Sequence, residues 1–181
     1  MNIKRIVVPV DFSDHSLRAL DFAADLAEPF GSELVVIFAL EPMVNLMPDY
    51  GGAQTSAVAE LLDQQRHTGQ AELARMERRY ARRGITLRTL MPFGRPSQAI
   101  VDTARELKAD LIIMATHGRS GVSRMLMGSV AERVVRTAAC PVLTLHAGDA
   151  RAAQRRSTKA PRVRELARAA RAPKVHAVSR R

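Results

Sequence analysis

The chain has 181 residues, 46% of them hydrophobic and 4% aromatic, enough for one α/β-sized core with little left to stack a large flat cofactor such as a flavin. The formal charge of +10 is uneven, because residues 147–181 hold eleven Lys and Arg against Asp149 and Glu165, a balance of +9, and the preceding 146 residues hold 17 against 16. A basic tail, and not a basic domain, carries the charge, while a single cysteine, Cys140, excludes an internal disulfide and no run approaches the roughly 18 apolar residues of a membrane helix.

From the start, Ile3 to Val10 is a β-branched run ended by Asp11. Ser13 can cap a following helix in which Leu17, Leu20, Ala24 and Ala27 recur at helical spacing, and Gly31 closes it. Lys4 and Arg5 precede too short an apolar segment for a signal peptide, so the expected compartment is the cytoplasm. Glu33 to Leu40 reads as a second strand, and Glu41 to Gln54, rich in Pro, Gly and Met, as a long loop. A second helix follows with Val58, Leu61, Leu62, Leu73, Met76 and Tyr80 on one stripe, arginines over much of the rest, and Gly84 as its stop.

Thr86 to Met91 supplies a third strand, and Ser97 is expected to cap a helix through Lys108. Leu111 to Thr116 is a continuous apolar run, as a strand buried on both faces requires, and Pro141 to Leu145 is the fifth strand after a helix from Ser129 to Ala139. Strict alternation of strand and helix predicts an open parallel α/β sheet with helices on both faces and right-handed crossovers. Ligands of such sheets bind at the carboxyl ends of strands, where Asp11, Leu40 and Ala115 to Gly118 fall.

The stretch Ala115 to Ser129, ATHGRSGVSRMLMGS, carries the most chemistry. Gly118 and Gly121 leave backbone amides uncovered, and Gly128-Ser129 opens a helix whose unpaired N–H groups and positive dipole end suit an anion. Ser129 and Glu132 also form S-x-x-E, the pattern of a capping box that would use the same amides. Arg119 and Arg124 could neutralise phosphate there. Asp11 at a strand end suits a ribose hydroxyl, with helix-dipole electrostatics as its plainer role. Pro9, Val10, Ala39 and Met114 would line an adenine slot or serve as plain core. His117 lies beside Gly118, but no carboxylate pair or Ser-His-Asp set accompanies it, the GxxxxGK[ST] pattern is absent, and no metal-ligand cluster is evident.

Ala115, Gly118 and Gly128-Ser129, with two and nine intervening residues, together with Val7-Val8-Pro9-Val10-Asp11 and Cys140-Pro141-Val142-Leu143, make the chain resemble the universal stress protein family over about Met1 to His146. Its nucleotide-binding signature is G-x2-G-x9-G-[ST], and here Ala115 replaces the first glycine. The resemblance implies a five-stranded Rossmann-like sheet of order 3-2-1-4-5. It also implies ATP or a related adenine nucleotide, with Mg2+ accompanying the triphosphate, held by Pro9, Val10, Asp11, Ala39, Met114, Ala115, His117, Gly118, Arg119, Gly128, Ser129 and Val130. It further implies a homodimer joined along Pro141 to Leu145, acting as a stress-responsive, nucleotide-dependent regulator.

A binding protein is therefore expected, with no catalytic residue assigned. The alternatives are a weak ATP hydrolase and a nucleotide-free interaction protein working through its dimer and its tail. Residues 147–181, poor in large apolar side chains, read as a disordered extension for an acidic partner or nucleic acid, its contacts driven by phosphate because the tail has no aromatic residue.

Overall fold

A computed structural model of the protein describes residues 3–41, 54–116 and 127–146. The calls on the loop after Glu41, on His117, Gly118, Arg119, Gly121 and Arg124, and on the tail lie outside these residues. Five strands, β1 (Arg5–Pro9), β2 (Glu33–Ile37), β3 (Leu87–Leu90), β4 (Leu111–Ala115) and β5 (Val142–Leu145), alternate with α1 (Asp14–Phe30), α2 (Gln54–Ala81), α3 (Pro96–Glu106) and α4 (Ser129–Thr137). All pairings are parallel and the strand order is β3-β2-β1-β4-β5. The chain runs outward from β1 to β3, then crosses back to β4, so β1 and β4 flank the point where winding reverses.

The two-residue period of a strand explains how this sheet holds two cores. Ile6, Val8, Val10, Leu34, Val36 and Ile113 face α1 and α2, with Leu20, Leu73, Met76 and Tyr80 packed on them. Val7, Val35, Ile37, Ile112 and Met114 face α3 and α4, meeting Ile100, Val101, Ala104, Ala131 and Val134. Each of these large apolar side chains removed from water contributes about 1.5–3 kcal/mol before conformational entropy is set against it.

Local signals agree with the outcome at α1. Ser13 is its N-cap, accepting from the Ser16 N–H at 3.3 Å, and Gly31 ends it in the left-handed region at φ 65°. Gly84, at φ 70°, turns the chain after α2. Three expectations need correction. Ser97 does not cap α3: Arg95 occupies that place, Pro96 begins the helix, and Ser97 is buried in its first turn. Proline's fixed φ and missing N–H suit the first helical position and move the start back by two residues. Leu61 does not join the buried stripe of α2 but is exposed, whereas Leu73, Met76 and Tyr80, later in that helix, lie on the core. Glu33 to Leu40 is a strand only to Ile37, with Leu40 kept in register by an isolated bridge to Phe93.

Gly69 lies midway along α2, where glycine costs about 1 kcal/mol relative to alanine. A Cβ there would stand 2.8 Å from two atoms of the Phe38 ring, so the glycine lets that ring seat against the helix. Phe38 in turn packs on Phe12 with ring centroids 4.5 Å apart. Phe12 takes φ 63°, a conformation a bulky side chain adopts only when its surroundings hold it there. It turns the chain between β1 and α1.

Candidate functional site

A cavity of about 330 Å³ opens at the carboxyl ends of β1, β2 and β4. β1 delivers Pro9, Val10 and Asp11 to it, β2 delivers Ile37, Phe38 and Ala39, and β4 delivers Met114, Ala115 and Thr116. The wall is completed by Ser16 of α1, Pro96 and Ile100 of α3, and the opening turn of α4 from Gly128 to Ala131. Nine of the twelve residues expected from sequence meet there: Pro9, Val10, Asp11, Ala39, Met114, Ala115, Gly128, Ser129 and Val130. The other three, His117, Gly118 and Arg119, lie outside the described residues.

At one side, Oδ1 of Asp11 accepts hydrogen bonds from the N–H of Ser13 at 3.0 Å and from its hydroxyl at 2.6 Å. The Asp11 N–H in turn donates to Ser16 Oγ at 3.3 Å, and the Ser16 hydroxyl donates to the Ser13 carbonyl at 3.0 Å. This small net ties the carboxylate to the start of α1, where the helix dipole favours its charge. The dipole role expected of Asp11 and a place on the cavity wall therefore hold together.

Opposite lies the amino end of α4. The S-x-x-E pattern does not become a capping box: Gly128 is the N-cap, no side chain caps the helix, and Ser129 is its first residue. Glu132 pairs instead with Arg136 at 3.5 Å, one turn on. The first-turn amides of Ser129, Val130 and Ala131 have no acceptor within their own helix and border the cavity, so the anion-binding chemistry of a helix N-terminus is directed into it. Gly128 itself donates to the Thr116 carbonyl at 2.8 Å, bringing the chain back to the end of β4.

Between these two polar sides the wall is apolar, formed by Val10, Ile37, Ala39, Ile100 and Met114. Sequence reasoning missed Ser16, Ile37, Phe38, Pro96, Ile100, Thr116 and Ala131. Thr116 stood inside the motif, at a variable position next to Ala115, and Ile37 within a recognised strand. The two α3 residues gave no local sign, because only the packing of α3 beside α4 brings them to the opening. Elsewhere, Cys140 is half-buried, and burial pushes its thiol up from the ordinary range.

The geometry defines an open, doubly wound α/β protein with a partly apolar cavity at its switch point, a carboxylate on one side and a helix N-terminus on the other. Residues 2–146 match the model of the universal stress protein family, and the chain belongs to that family. A universal stress protein of Methanocaldococcus jannaschii is 40% identical over 144 residues, 78% of this chain and 81% of the relative. Among solved structures, a universal stress protein in complex with cAMP is 28% identical with a TM-score of 0.52, covering 81% of this chain and 98% of its own. The universal stress protein from Archaeoglobus fulgidus in complex with dAMP is 26% identical, also with a TM-score of 0.52, covering 80% and 98%. Among the described residues, no helix is long and apolar enough to cross a membrane.

Proposed function

We propose that this protein binds ATP or a related adenine nucleotide in the strand-end cavity and acts as a dimeric, nucleotide-dependent regulator in the cytoplasm. One observation carries the reading: a single cavity of about 330 Å³ brings together an apolar wall, a carboxylate and a helix N-terminus, the three kinds of group that suit base, ribose and phosphate. In this arrangement Val10, Ala39 and Met114 flank the adenine, Asp11 accepts from ribose hydroxyls, and the amides of Ser129 and Val130 meet phosphate oxygens. The cAMP and dAMP in the two similar structures each join an adenine, a pentose and a phosphate. A Mg2+ ion would be held by the triphosphate itself.

In this reading Gly118, a fixed position of the family signature, and its neighbours His117 and Arg119 extend the phosphate end. The domain ends at 146, and the basic extension from 147 to 181 is a separate part serving an acidic partner or nucleic acid. β5 is an edge strand, bonded only to β4 within the described sheet, and its Leu143 is 36% exposed; it supports the homodimer contact.

The test is to denature freshly purified protein, identify released nucleotide by mass spectrometry, and titrate ATP calorimetrically into wild type and Gly128→Asp. Adenine nucleotide that is released from wild type and no longer binds the variant is the expected result. Neither endogenous ligand nor titratable binding in wild type overturns the reading.

A further inference from the structure

Thr116 is the residue where three segments of the fold converge. It follows β4 by one position, is 2% exposed, and lines the cavity. Its N–H donates to the Leu145 carbonyl at 3.0 Å, extending the β4–β5 ladder by one step. Its hydroxyl donates to the same carbonyl at 3.3 Å and lies 2.9 Å from Nδ1 of His146. Its own carbonyl accepts from the N–H of Gly128, the N-cap of α4, at 2.8 Å. The chain that leaves the sheet after Thr116 therefore returns at Gly128 to the residue it left.

A buried hydroxyl must be paired, and Leu145 and His146 pair this one. Threonine is branched at Cβ and stiff about χ1, so its paired hydroxyl, together with the N–H bonded to Leu145, holds the residue at the end of β4 from which its carbonyl is presented. That carbonyl holds Gly128, and Gly128 sets where the first-turn amides of α4 point. A shift of the order of half an ångström at such a position is enough to spoil hydrogen-bond geometry at a binding site. The end of β5, on the sheet's edge, is thereby joined to the anion side of a cavity that β5 itself does not line.

We propose that Thr116 and His146 form a positioning pair that aims the amino end of α4 at the phosphates of the ligand. The proposal rests on the nucleotide reading above and deepens it: the pair governs recognition of the phosphate group, while the apolar slot and Asp11 recognise the nucleoside. In this proposal His146 acts through Thr116, whose hydroxyl it meets.

The experiment uses the full chain and titrates both ATP and adenosine into wild type, Thr116→Val, Thr116→Ser and His146→Leu, with a melting temperature for each. Loss of one positioning hydrogen bond lowers ATP affinity by up to about tenfold in Thr116→Val and His146→Leu, while adenosine affinity stays at the wild-type level in His146→Leu, whose residue does not line the cavity. Thr116→Ser, which keeps the hydroxyl, returns ATP affinity towards wild type. ATP and adenosine affinities falling together in His146→Leu, or ATP affinity unchanged in both hydroxyl-pair variants, overturns the proposal while nucleotide binding stands. Wild type that takes up neither ligand overturns the nucleotide reading itself, and the pair with it. Exposed His146 keeps the test open if the valine variant fails to fold.

Discussion

The amino ends of the strands are tied across the sheet, whereas at the carboxyl ends the side chains of the β1–α1 turn bond within their own segment and leave a cavity between elements. At the amino side, Asp110 Oδ2 accepts from the backbone N–H groups of Lys4 at 2.8 Å and Arg5 at 2.9 Å. Arg5 Nε pairs with Glu33 at 2.7 Å, Arg88 approaches the same carboxylate at 3.5 Å, and the Arg5 guanidinium also donates to the Leu107 carbonyl. Ser32 donates to the Ile3 carbonyl at 2.6 Å. At the carboxyl side, Asp11, Ser13 and Ser16 bond to one another within the same turn. A sheet locked at one end can keep an opening at the other without losing its register, and in the function proposed above the opening is the end that recognises ligand.

The sharpest way to separate the two ends is Gly128→Asp. Gly128 has φ −60° and ψ 146°, a backbone that any residue can adopt, so aspartate there is a good N-cap and should raise stability by a few tenths of a kcal/mol. The same carboxylate would stand where phosphate is proposed to bind. ATP affinity should therefore fall by about a hundredfold, roughly 2.7 kcal/mol, while the melting temperature holds or rises. A fall in both would mean that the carboxyl end also carries the fold.

Away from the cavity, α1 and α2 are clasped by Tyr80, whose hydroxyl donates to Asp21 Oδ1 at 2.7 Å, with Arg79 3.0 Å from the same oxygen. The guanidiniums of Arg79 and Arg83 lie 5.4 and 5.6 Å from the centroid of its ring. Tyr80→Phe should cost about 1.5–2 kcal/mol in denaturant unfolding, as expected for a hydrogen bond to a charged group, and leave ATP affinity unchanged. Burial, and then the bond to Asp21, push the Tyr80 phenol well above its ordinary value. Since the folded state favours the protonated phenol, its contribution is full below a pH of about 10 and is lost as pH rises beyond that. Wild type should then lose stability in alkali more steeply than the phenylalanine variant.

Glu33→Gln comes next in size, removing the carboxylate shared by Arg5 and Arg88. With both side chains of the closer pair partly exposed, the expected loss is about 1 kcal/mol, again with ATP titration unchanged. The smallest effect is expected from Asp110→Asn. The backbone N–H of Arg5, followed by that of Lys4, holds the Asp110 carboxyl below its ordinary value. A depressed carboxylate contributes stability above the unfolded value of about 3.9 and loses it as pH falls through the lower folded value. Wild type and variant should differ at neutral pH and converge in acid.

Much of this plan was legible before folding was considered. The alternation of strand and helix, Ser13 as a cap and Gly31 and Gly84 as stops depend on backbone preferences that each segment carries with it. Pro9, Val10, Asp11, Ala39, Met114 and Ala115 were legible because a strand's carboxyl end is known as soon as its direction is known, whereas Ile37, Phe38 and Thr116 beside them were not. Ser129 and Ser97 misled for a common reason: a residue that can cap a helix does so only if the chain turns at that residue, and Gly128 and Arg95 take the turn instead.

What the sequence by itself determined, then, is the family, the five parallel strands and the place of the glycine turn into α4, all of which follow from short-range pattern and spacing. Only the tertiary structure decided that Pro96 and Ile100 close the cavity, that Gly69 seats Phe38, and that Thr116 joins His146 to Gly128. These contacts join residues far apart along the chain, so no local propensity encodes them and they arise only when the packed sheet fixes every element at once.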